Sequence, residues 1–150
     1  MNIFQELIKV GDIHVKRINL AMDAMKKIFP LSPENIENFT TEELLYTELL
    51  ISRFAKLQDF IGKTFINSFL QLTGDYQDSM TMIDKIHLLE KLNIIQYGLW
   101  KKIRDIRNHI SHEYPDHPEI ICVYLNQIFE ISPNLINLFE TIKKRGSELC

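Results

Sequence analysis

Glycine and proline are scarce in this chain, five of each in 150 residues. That leaves little material for the turns of an all-β fold. Cysteine is scarcer still: Cys122 and the terminal Cys150 are too few for a disulfide framework and fit a reducing cytosol. No apolar run approaches the length needed to span a bilayer. The N-terminal MNIFQELIKVGDIH has neither a basic leader nor a continuous apolar core, so no signal peptide is expected. The expected location is cytoplasmic, with no membrane partner. No excess of positive charge exists either. The formal net charge of −3 excludes a global field drawing the chain to nucleic acid, so any such contact must be local. Glycine-rich phosphate cradles of both common types are absent, and no cofactor is expected.

What remains is 45% hydrophobic and 25% charged, ordinary for a globular protein, and 150 residues make one domain with a real core. The apolar residues recur at helical spacing. Phe4, Leu7, Gly11, His14, Ile18, Ala21, Met25 and Ile28 alternate by three and four, which predicts a first helix over 3–28 with a helix–helix seam. Gly11 in that seam implies close helix approach, and His14 a hydrogen-bonded interface residue. Phe29 to Pro33 reads as a linker. Thr40 and Glu43 form a capping box, opening a helix of about 32 residues that runs to Leu72, about 48 Å long. Its apolar stripe is Leu50, Phe54, Leu57, Ile61, Phe65, Phe69 and Leu72. The opposite stripe of Arg53, Lys56, Asp59, Lys63, Asn67 and Gln71 reads as a solvated face rather than an RNA-contacting rim.

Gly74 suits the residue just past that helix. A third helix is expected from Met80 to Leu92, capped by Asp78 or Ser79, and a fourth from Trp100 to His112 or Glu113, where Pro115 ends it. Pro118 starts a fifth, with Ile121, Leu125, Ile128 and Phe129 facing inward. Ser132-Pro133 marks a restart or a kink, and Lys143-Lys144-Arg145 suits a helix C-terminus. The expected fold is all-α, an up-and-down bundle of about five helices in a single domain, 1–150.

The fourth helix concentrates the chemistry. Between Arg107 and Tyr114 stand a guanidinium, an amide, two imidazoles, a carboxylate and a phenol. At 100° per residue, Arg104, Arg107, Asn108 and Ser111 share one face, and Asn108 lies one turn below His112. Arg107 and His112 are about 140° and about 7.5 Å apart, within joint reach of one phosphate. Arginine suits two-point phosphate recognition, and histidine exchanges protons near neutral pH. Such a pair points to phosphodiester cleavage by acid–base chemistry with charge stabilisation. Asn108 and Ser111 would orient the pair, with His109 as a second proton carrier. Arg104 is a further supporting residue, and Lys101 and Lys102 are candidate RNA contacts. With one strong histidine per chain, a two-fold dimer with motif helices facing each other would supply both acid and base. A metal site fits poorly: His109, His112 and His117 miss the HExxH spacing, and no cysteine is near. A network that only stabilises the helix end, and a module that binds without cutting, stay open.

Arg107-Asn108-x-x-x-His112 resembles the RNxxxH signature of HEPN domains, and Arg107-x4-His112-x-Tyr114 the fuller RX4HXY form of HepT-like toxins. The likeness runs from about residue 42 to 118. The helical segment from Met82 to Ile95 agrees with it, and Arg53 to Gly62 more faintly. The resemblance implies a helical dimer, metal-independent ribonuclease activity from Arg107 and His112, and a toxin paired with a minimal nucleotidyltransferase antitoxin. It also implies that Tyr114 receives AMP groups from that antitoxin.

Overall fold

The chain's start is fixed locally in this computed structural model, which describes residues 2–110 and 117–150. The Asn2 side chain accepts the Gln5 amide at 2.9 Å, and the Gln5 side chain accepts the Asn2 amide at 3.0 Å. This reciprocal cap opens α1 (Ile3–Met25). The helix stops one turn short of Ile28, whose N–H turns back to Met25 O at 3.0 Å. The expected linker ends early. Ser32 caps a short α2 (Pro33–Glu37), with Pro33 in the first turn, where its missing N–H costs nothing. Leu31 is buried, and its backbone is clasped by Asn126 of the last helix. Asn126 Oδ1 accepts its N–H at 2.7 Å, and Asn126 Nδ2 donates to its carbonyl at 3.0 Å.

The Thr40–Glu43 capping box is present, with bonds of 3.1 and 2.9 Å. It opens one long rod: α3 (Thr41–Phe60), a π-helical turn (Ile61–Phe65) and α4 (Ile66–Thr73). Gly74 ends it at φ 79°, the left-handed geometry that glycine adopts without a Cβ penalty. The next helix, α5 (Met82–Lys91), begins later than expected. Its cap is Thr81, reciprocated by Asp84, rather than Asp78 or Ser79. Then α6 (Leu99–His109) follows Gly98, whose N–H donates to Glu90 Oε2 at 3.0 Å. Finally α7 (Pro118–Ser147) runs unbroken through Ser132-Pro133. The restart does not occur. Pro133 is exposed, so its ring meets solvent, while buried Ser132 donates from Oγ to Ile128 O at 2.6 Å. The fold is all-helical; α2 brings the rods to six, and the described residues contain no strand. No described helix is long and apolar enough to cross a membrane.

The core forms where α1, the long rod and α7 meet. Four aromatic rings meet there. Phe65 stacks on Phe4 at 4.9 Å, on Phe139 at 5.0 Å and on Phe60 at 5.3 Å between centroids. Gly11 does let α1 approach α7: a Cβ there would lie 2.0 Å from Phe139 Cε1. Lys143 ties the same two helices by donating to Asp12 at 2.9 Å. The polar stripe of the long rod is only partly solvated. Lys56, Lys63 and Gln71 are exposed, but Arg53 faces α1 and Asp59 faces α6.

Arg53 Nη1 lies 3.2 Å from His14 Nδ1, so the imidazole accepts at Nδ1. Burial lowers the pKa of His14, and the nearby Arg53 and Lys56 charges lower it further. A base harder to protonate when folded stabilises the native state above its unfolded pKa of 6.5, and that stability is lost as pH falls through and below it. Thermal denaturation between about pH 7.5 and about pH 5.5 should therefore show a larger loss of Tm for the wild type than for His14→Gln. Equal losses would show that His14 carries none of the dependence.

Candidate functional site

The inward face of α6 carries Trp100, Ile103 and Ile106, all buried. Trp100 seats against the π turn at Gly62, where a Cβ would lie 2.9 Å from Trp100 Cζ2, so only glycine gives the indole this room. Two turns further along α6, about 10.5 Å, Arg107 meets Asp59 of α3. Nε donates to Oδ1 at 3.3 Å and Nη2 to Oδ2 at 3.1 Å. The two side chains are 25% and 35% exposed. This two-point pairing fixes the plane of the guanidinium rather than merely its charge. It uses one edge of the fork and leaves the Nη1 edge outside the pair.

The other expected residues are spread around α6. Arg104 and Asn108 are exposed. Arg104 also borders a groove of about 380 Å³ between α5 and α6, with Met82, Ile86 and Trp100 as an apolar floor and His87 and Lys101 at its rim. The buried Trp100 Nε1 has no hydrogen-bond partner among the described residues. Lys101 bridges to Asp105 at 2.9 Å in a largely exposed pair, which an incoming phosphate could displace at little cost. Lys102 is exposed.

His109 lies elsewhere. Two residues on from Arg107 it points about 200° away, and its ring stacks on Tyr124 of α7 at 4.8 Å and 13°. It is therefore not beside Arg107 in the same chain, as a second proton carrier would have to be. Ser111, His112 and Tyr114, with the expected helix end at His112 or Glu113, lie outside the described residues. Among those described, no group of three or more His, Cys, Asp and Glu side chains is gathered.

Searches against family models, curated proteins and solved structures find no match. The site thus rests on its own geometry.

Asp59 is the residue that pattern reading placed wrongly, as part of a solvated stripe. One signal was available. It is the only carboxylate between Arg53 and Gly74, in a stretch whose other charges are cationic. An isolated acid flanked by Leu57, Phe60 and Ile61 has reason to seek a partner across a helix interface. Tyr124 had no comparable signal, since a phenol at that spacing reads equally well as covering apolar surface.

Proposed function

We propose that this protein is a metal-independent endoribonuclease, the toxin of a toxin–antitoxin pair, acting at a composite cleft between two copies whose α6 helices face each other. The observation that supports it is the Arg107–Asp59 clamp. A guanidinium held at two points, with one edge outside the clamp, is preorganised for a phosphate whose charge grows in the transition state. Five residues on in sequence stands His112. In the proposed reaction the ribose 2′-oxygen attacks phosphorus, the P–O2′ bond forms and the P–O5′ bond breaks. One His112 takes the 2′-hydroxyl proton and its counterpart gives a proton to the leaving 5′-oxygen. The products are a 2′,3′-cyclic phosphate and a 5′-hydroxyl, and Arg107 neutralises the phosphorane between them.

The test is cleavage of an end-labelled RNA with chelator present. Cyclic-phosphate ends are expected, and chelator-sensitive activity would replace this reading with a metal-dependent one. Asp59→Asn should lower the rate by about 10- to 100-fold, because a neutral amide no longer fixes the guanidinium plane. Its defect should be smaller than that of Arg107→Ala, and an unchanged rate would remove Asp59 from the site.

Regulation is proposed at Tyr114, the tyrosine of the RX4HXY pattern. AMP groups added there by a minimal nucleotidyltransferase partner would bring phosphate beside Arg107 and His112 and repel incoming RNA. Tyr114→Phe should keep ribonuclease activity and escape neutralisation. Intact mass after co-expression with such a transferase checks it: AMP-sized additions are expected on wild type and not on Tyr114→Phe. A second reading, a module that binds nucleotide or RNA without cutting it, draws on the basic-rimmed groove beside Arg104. Tight RNA binding with no cleavage would favour it.

A further inference from the structure

α1 has three faces rather than two. One is buried, through Phe4, Gly11, Val15 and Ile18, and one is polar, through Gln5, Lys9, Asp12, Lys16 and Asn19. Between them runs an exposed apolar stripe. Ile3 is 74% exposed, Val10 41%, Ile13 49% and Leu20 52%. With exposed Glu6 and Arg17, these residues repeat at three- and four-residue steps and fall within about 100° of the helix surface. The stripe has the heptad spacing of a coiled-coil seam, yet no described element of the same chain covers it.

The order of residues along the stripe says what would. Ile3, Glu6, Val10, Ile13, Arg17 and Leu20 read as apolar, acid, apolar, apolar, base, apolar. Turned end over end about a two-fold axis between Gly11 and Asp12, the stripe complements itself. Ile3 meets Leu20, Val10 meets Ile13, and Glu6 meets Arg17, each pair occurring twice. A parallel pairing would set Glu6 on Glu6 and Arg17 on Arg17. Sliding the antiparallel pair by one heptad in either direction would set a charge against an apolar side chain. Of these registers only one matches every layer.

We propose that α1 is an isologous interface at which a second copy of this chain docks antiparallel through this stripe, with Glu6 of each copy paired to Arg17 of the other. The interface is separate from the Arg107–Asp59 clamp. α1 packs on the long rod at His14–Arg53 and Phe4–Phe65, and on α7 through Gly11. α6 meets the same rod at Asp59. An assembly built on α1 therefore leaves the α6 surface open to its own pairing.

Charge exchange tests the register. In Glu6→Arg both members of each polar layer are cationic, and in Arg17→Glu both are anionic. Each variant alone should self-associate about tenfold or more weakly, and sedimentation equilibrium at micromolar concentration should show its assembly mass fall at least by half. Mixed in equal amounts, the two variants are complementary and should regain the wild-type mass. So should the double exchange Glu6→Arg/Arg17→Glu. Recovery in the mixture also shows that both variants fold. A wild type with the same mass as Glu6→Arg, or a mixture no heavier than its components, overturns the proposal and leaves the stripe to a different partner.

Discussion

Arg107→Ala and His112→Ala should each lower RNA cleavage by about 100- to 10,000-fold, the usual cost of one acid–base or charge-stabilising group. The two losses have different causes. Without His112, neither the 2′-hydroxyl nor the leaving oxygen has a proton partner, and the rate loses its dependence on pH near neutrality. Without Arg107, proton transfer is intact but the doubly charged phosphorane has no fixed counter-charge. Arg107→Lys separates charge from geometry. Lysine keeps the positive charge but has one nitrogen where the Asp59 clamp engages both Nε and Nη2. It should recover little of the activity. Single-turnover cleavage of a labelled RNA, with helical content checked by circular dichroism, measures all three. Activity that survives in His112→Ala would assign proton transfer to another residue.

Phe65→Ala should destabilise the fold by about 3–5 kcal/mol, near the top of what one core truncation costs. Phe65 is fully buried, and its ring stacks on three others contributed by α1, the long rod and α7. Removing it opens a cavity bounded by three rods that cannot all move in, because α1 and α7 already touch at Gly11. Phe65→Leu, which keeps most of the volume, should cost less than half as much. Urea denaturation gives both values. A cost under about 1 kcal/mol for alanine would mean the neighbouring rings close the gap.

Features legible in the sequence were those decided within a few residues. The Thr40–Glu43 box, the left-handed Gly74 and the helix start at Pro118 each depend on neighbours one turn away, and each is present. The start of α5 was local too, but several candidate caps competed. Thr81 with Asp84 prevailed over Asp78 and Ser79 because only Thr81 has a reciprocating side chain three residues on. At Pro133 the restart is absent for a physical reason. A proline with its ring in solvent removes one backbone bond, and the helix continues with Leu135, Leu138, Phe139 and Ile142 buried beyond it. The candidate site divides in the same way. Arg107 could be picked out from its own helix, whereas its partner lies 48 residues away and is chosen by how α6 sits on α3. The π turn was not read from the apolar pattern, in which Ile61, Phe65, Ile66 and Phe69 are all buried as they would be on an apolar stripe.

That wide turn sets a phase. A π turn is a helix carrying one residue more than regular winding needs, so the rod from Thr41 to Thr73 consists of two halves offset about its axis. Deleting any one residue of 61–65 would let the backbone close into an unbroken α-helix with its hydrogen bonds intact. The cost would appear at a distance. Relative to Phe69 and Leu70, Asp59 would swing by about 100° and no longer face Arg107. Length variation at this one point would therefore act less like damage than like a change of gear, keeping the rod and disengaging the carboxylate from the guanidinium.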